Sequence, residues 1–133
     1  MKHYKIFLTL LLGFFVSTFI HTESNAQVSS IGSVSTTRGS SWTLDGYIMS
    51  RTVSKLLSPS NFGPGGTVPH SFTITSEAGT ITAATLSQYD IFFIGFFLDG
   101  TFSTSELQAM ANWVNSGGKL LITADHSSYD AVA

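Results

Sequence analysis

The sequence predicts an α/β fold, a three-layer flavodoxin/Rossmann-like and mostly parallel sheet, and three stretches predict it. Residues 91–98 are an unbroken apolar run rich in β-branched and aromatic side chains, residues 103–115 have helical periodicity, and residues 119–124 are a second apolar run. A strand without polar alternation must be covered on both faces, the mark of a parallel sheet between helices. Strand, helix and strand in this order form a crossover unit that is right-handed in nearly all cases, so both strands point the same way.

The chain has 133 residues, room for one domain. Residues 1–26 read as a secretory signal peptide. Lys2 and Lys5 supply the basic start, residues 6–20 the apolar stretch, and Ser24 and Ala26 the small residues before a cut that leaves Gln27 first. The apolar stretch is shorter than the ~20 residues a membrane-spanning helix needs. The expectation is a protein secreted or periplasmic in a bacterium, with no membrane association after cleavage. Residues 27–133 then form the one α/β domain.

Beyond the leader, Arg38, Arg51, Lys55 and Lys119 face Asp45, Glu77, Asp90, Asp99, Glu106, Asp125 and Asp130. An acidic balance without a basic cluster predicts no nucleic-acid partner. The absence of cysteine excludes disulfides, thiolate nucleophiles and cysteine-ligated metals. No cofactor motif is present. The chain ends at Ala133, where a new helix is due, so the sheet is expected to be incomplete at the C-terminus: an N-terminal part of a domain, or a truncated product.

Taken in order, residues 27–37 form a weak first strand carrying Val28, Ile31 and Val34, and residues 38–41 a turn. Thr43 can cap a helix with Asp45 in its first turn, running from 44 to about 57. Its apolar face holds Met49, Val53, Leu56 and Leu57, with Arg51 and Lys55 on the wet side. The Pro- and Gly-rich residues 58–66 end it in an irregular loop. Residues 68–75 read as a strand with Phe72 and Ile74 on one face, and Pro69 suggests an edge position. A turn at 77–80 and one helical turn within 81–88 lead into the apolar run. Ser103 and Glu106 have the spacing of a capping box. Leu107, Met110, Ala111 and Val114 then make a stripe facing the sheet, and Gly117 or Gly118 stops the helix. Phe92, Phe93, Phe96, Phe97 and Leu121 are expected in the core.

Both crossover strands end on the same rim. That rim carries Asp99 after the first and Asp125, His126 and Ser127 after the second. Ligands of open parallel sheets bind beyond the strands' carboxyl ends, so these four are the candidate ligand-binding residues.

The run Leu86-Ser87-Gln88-Tyr89-Asp90-Ile91-Phe92-Phe93-Ile94, the helix from Ser103 to Trp113, and Asn115-Ser116-Gly117-Gly118-Lys119-Leu120-Leu121 together resemble the class I glutamine amidotransferase-like superfamily. The likeness is to its non-glutaminase branches, ThuA-like (trehalose-utilisation-like) proteins and uncharacterised exported domains, over residues 85–127. It implies a three-layer fold. The Gly-x-Cys-x-Gly elbow of true glutaminases is replaced by Thr123-Ala124-Asp125-His126-Ser127, so the resemblance does not imply glutaminase activity. His126 falls where ThuA-like proteins often carry a histidine.

Asp125 and His126 suit a metal or an acid–base pair, with Asp99 as a further carboxylate, but a divalent metal needs at least three placed ligands. The plainer reading is that Asp125 or Ser127 caps a following helix. Ser127-Ser128 lacks a nucleophile elbow, and residues 63–66 lack the lysine of a phosphate loop. Residues 38–41 could meet an anion at the next helix start, or form a solvated connection. No catalytic residue and no metal site is assigned. Three functional expectations follow: a non-enzymatic module binding an unknown ligand or protein, a hydrolase completed by residues beyond Ala133, or an inactive fragment.

Overall fold

A computed structural model of the chain describes residues 27–97 and 101–123. Four parallel strands form one sheet in the order β2-β1-β3-β4. They are β1 (Gln27–Val34), β2 (His70–Glu77), β3 (Ile91–Ile94) and β4 (Lys119–Ile122). The helices are α1 (Ser50–Leu56), the short α2 (Ala83–Leu86) and α3 (Thr104–Asn115), with a one-turn 3-10 helix at Thr36–Arg38. This is the flavodoxin-like order, the α/β architecture that the apolar runs predict.

Alternation within the strands sorts the core into two sides. Val34, Phe92 and Ile94 join Leu86 of α2 and Met110 of α3, with Ala109, Trp113 and Leu120 packed on them. Ile31 and Phe93 face the other way, onto Leu44, Met49, Val53 and Leu56 around α1. The sheet therefore lies between α1 and the α2/α3 layer. β2 is an edge strand, as Pro69 at its entrance suggests. Its eight residues run in step with β1, from Gln27 opposite His70 to Val34 opposite Glu77, and Ile94 pairs with Ile122. The strands consequently end almost level.

Four local expectations are corrected. First, the helix expected from residue 44 begins at Ser50 and has seven residues. The Asp45 carboxylate does not sit at the start of α1 but at the start of the 3-10 helix Thr36–Arg38. It accepts from the Ser35, Thr36 and Thr43 hydroxyls and from the Thr36 N–H, which ties residues 35–45 into a knot at the end of β1. Burial pushes the Asp45 carboxyl up, but these hydrogen bonds outweigh it and hold the pKa below its ordinary value.

Second, the contact face of α3 is shifted by one residue. Glu106 and Met110 are buried, and Ala109 and Trp113 pack on the core, while Leu107 and Val114 are exposed. The helical spacing of the expected stripe is right and its phase is wrong. A charged residue leads the true stripe. Ser103 and Glu106 do form the capping box, and Gly117 takes the left-handed conformation (φ 98°) that ends the helix.

Third, β3 stops at Ile94 rather than near residue 98. At Gly95 the backbone of Trp42 crosses so closely that a Cβ would lie 2.0 Å from the Trp42 carbonyl oxygen. Fourth, β4 is only partly covered among the described residues: Leu121, on the Phe93 side of the sheet, is 55% exposed, and Ile122, on the Ile94 side, is 40% exposed. Phe92, Phe93 and Phe97 are core residues, whereas Phe96 is half-buried at the rim.

Candidate functional site

The four residues that the sequence places at the rim, Asp99, Asp125, His126 and Ser127, lie outside the described residues. The described rim is built by the segment after β1, residues 35–49, and by residues 95–97 after β3. The connection after β1 runs to β2 on one side and the connection after β3 runs to β4 on the other, so the connections leave these neighbouring strands in opposite directions. This is the switch point at which open parallel sheets hold ligands.

Two polar knots fix the segment after β1. One is the Asp45 cluster described above. The other is centred on Arg38, whose guanidinium donates to both carboxylate oxygens of Glu106, at 2.6 and 3.2 Å. It also donates to the carbonyls of Thr101 and Gly79, and lies 5.0 Å from the Phe102 ring centre. Glu106 in turn accepts from the N–H groups of Ile81 and Ser103. The Arg38 guanidinium, against the opposing effect of burial and aided by these N–H donors, pulls the Glu106 pKa down to about 2. Arg38 is thus engaged in holding three connections together, not in awaiting an anion.

Between the knots, the chain passes over the end of β3. The Ser40 hydroxyl donates to the Phe96 carbonyl and accepts from the Trp42 N–H. Beside this crossing lies a cleft of about 320 Å³ lined by Gly39, Ser40, Ser41, Trp42, Tyr47, Ile48 and Phe96. No lining side chain is charged. Trp42 is 44% exposed and Tyr47 is 77% exposed. The indole N–H, the Tyr47 hydroxyl and the Ser41 hydroxyl have no hydrogen-bond partner among the described residues. The cleft therefore offers two aromatic faces and three free polar handles, without a charge.

Of the cleft residues, the sequence offers only Gly39, Ser40 and Ser41, within residues 38–41 that could meet an anion; Trp42, Tyr47, Ile48 and Phe96 are not among its site residues. Expecting a helix over 44–57 puts Ile48 beside the apolar face of that helix and gives Tyr47 no role. The available signal was a tryptophan and a tyrosine in a Gly- and Ser-rich connection following a strand.

At the opposite rim, His70 Nε2 lies 3.0 Å from the Ser29 hydroxyl. The Asp90 carboxylate accepts from the Ser30 N–H and hydroxyl, and these bonds hold its pKa below the ordinary value. Ser29 and Ser30 are consecutive in β1 and face opposite sides of the sheet, so the two pairs do not combine into a nucleophile–base–acid array. Among the described residues there is no group of three or more His, Cys, Asp or Glu side chains suited to a metal ion. Among them, too, no helix is long and apolar enough to cross a membrane.

Compared with protein-family models, with curated proteins and with solved structures, the chain matches none.

Proposed function

We propose that this chain is an exported binding module of the glutamine amidotransferase-like kind, and that it holds a small neutral ligand at the switch point of its sheet. The observation that carries this reading is the uncharged cleft between Trp42, Tyr47 and Phe96, set beyond the carboxyl ends of β1 and β3. Binding pockets join apolar and aromatic walls with a few placed polar groups, and this lining has that character. A ligand that suits it presents a flat apolar face to a ring and hydroxyls to the indole N–H, Ser41 and Tyr47. A sugar ring is such a ligand. Because the cleft has no charged group, an ionic ligand would lose its water there without compensation.

The export part of the reading rests on the leader-like residues 1–26, and the family part on the motifs of residues 85–127. The test is calorimetric titration of the purified protein with glucose, galactose and maltose. The reading expects saturable heat with at least one sugar, lost in Trp42→Ala and kept in Val28→Ala, an exposed residue at the far end of β1. Heat that Trp42→Ala leaves unchanged would refute the cleft as the site.

A further inference from the structure

A second cleft lies on the outer side of α1, with a volume of about 460 Å³, lined by Ser50, Arg51, Ser54, Lys55, Ser58, Ser60 and Asn61. Two adjacent rows at helical spacing build one wall, Ser50 with Ser54 and Arg51 with Lys55. The loop through Ser58, Ser60 and Asn61 builds the other. The loop is tied back onto the helix, because the Asn61 side-chain amide donates to the Lys55 carbonyl at 3.1 Å.

The donors of this cleft can be accounted for one by one. The Ser50 hydroxyl donates to the Tyr47 carbonyl, and the Ser54 hydroxyl to the Ser50 carbonyl. Ser58 and Ser60 share one hydrogen between their oxygens at 2.9 Å. What remains is one hydroxyl proton of that pair, the second Asn61 amide proton, the Arg51 guanidinium and the Lys55 ammonium. No carboxylate lines the cleft, and among the described residues neither cation has an ion-pair partner. The other cations of the described chain are placed differently. Arg38 is bound to Glu106, and Lys119 lies in the field of Asp90.

The pair is also unfavourable as it stands. Like charges four apart on a helix repel. A group carrying several acceptor oxygens and negative charge would meet both cations and the free hydroxyl together. Guanidinium and ammonium groups suit phosphate and sulfate oxygens in this way.

We propose that the cleft between α1 and residues 58–61 binds a tetrahedral oxyanion, phosphate or sulfate, through Arg51 and Lys55. This site stands apart from the neutral cleft and does not depend on it.

The experiment is a titration followed by NMR amide shifts, at ionic strength held constant with chloride. One arm uses inorganic phosphate and inorganic sulfate, the other methyl phosphate and methyl sulfate. The expected result is saturable movement of the signals from residues 50–61. Arg51→Gln and Lys55→Gln should each weaken binding about tenfold, the loss of one charge-assisted contact. Lys55→Arg should retain it and so separates loss of charge from loss of structure. Tighter binding of the esters would identify an esterified organic ligand as the occupant. Equal binding would identify the free oxyanion. Shifts that chloride alone reproduces, that do not saturate, or that survive the double Gln variant would overturn the proposal.

Discussion

Arg38 and Glu106 are 68 residues apart in the chain and meet through two hydrogen bonds, with their side chains 16% and 5% exposed. Their pairing joins the connection after β1 to the start of α3, and through the Ile81 N–H to the approach to α2. One ion pair therefore fixes the end of the sheet on which the neutral cleft lies.

Removing one partner leaves the other charge buried without its counter-charge. Arg38→Met alone should cost about 3–5 kcal/mol, measured by denaturant unfolding. Arg38→Met combined with Glu106→Leu should recover only part of that loss, because desolvation of both charges is avoided but the Ile81 and Ser103 N–H groups lose their acceptor. The pair also makes stability depend on pH on the acid side. The folded pKa of Glu106, about 2, is below its ordinary value of 4.5, so its contribution is complete above about pH 4.5 and lost as pH falls towards 2. Replacing Glu106 by Gln should flatten the pH dependence of stability in that window.

At the alkaline end the relevant pair is Tyr89 and Glu77. Tyr89 donates its hydroxyl to the Glu77 carboxylate, and burial, then this bond and the negative charge, push its pKa up to about 12. A raised folded pKa contributes stability that is full below pH 10.0 and lost as pH rises through about 12. Ultraviolet titration should show one late-ionising tyrosine that disappears in Tyr89→Phe.

Gly95 tests the close crossing of two segments. A Cβ there would meet the Trp42 carbonyl oxygen at 2.0 Å, and the object it meets is backbone. Gly95→Ala should cost on the order of 1–3 kcal/mol in thermal unfolding. It should also displace residues 40–42, seen as a shift in the Trp42 emission.

On one face of the β3–β4 ladder, the two strands should respond unequally to truncation. Phe93 is 3% exposed and fills the core beside α1, so Phe93→Ala should cost about 3–5 kcal/mol. Leu121, its register partner, is 55% exposed, and Leu121→Ala should change stability by less than about 1 kcal/mol in the same assay.

The legible parts of this fold are those set by hydrophobic pattern and local chemistry. The apolar run at 91–98 marks a strand buried on both faces, which the fold realises over Ile91–Ile94, and Ser103 with Glu106 marks the start of α3. The parts that were not legible depend on contacts between distant segments. The phase of α3 is set by Arg38, which makes a glutamate the leading inward residue. A hydrophobic stripe search passes over such a residue. The late start of α1 goes with Asp45, which bonds Ser35 and Thr36 at the start of the 3-10 helix after β1 in place of the N-terminus of α1. The cleft exists because Trp42 crosses Gly95, a meeting of two rims that spacing along one chain does not encode.

The central claim is that small neutral ligands bind beyond the carboxyl ends of β1 and β3. Its most direct test is NMR mapping of amide shifts on adding the sugar that gives the strongest calorimetric signal. The account predicts saturable shifts concentrated at residues 39–42, 47, 48 and 96. Shifts concentrated instead at the opposite rim, around Ser29, His70 and Asp90, would contradict it.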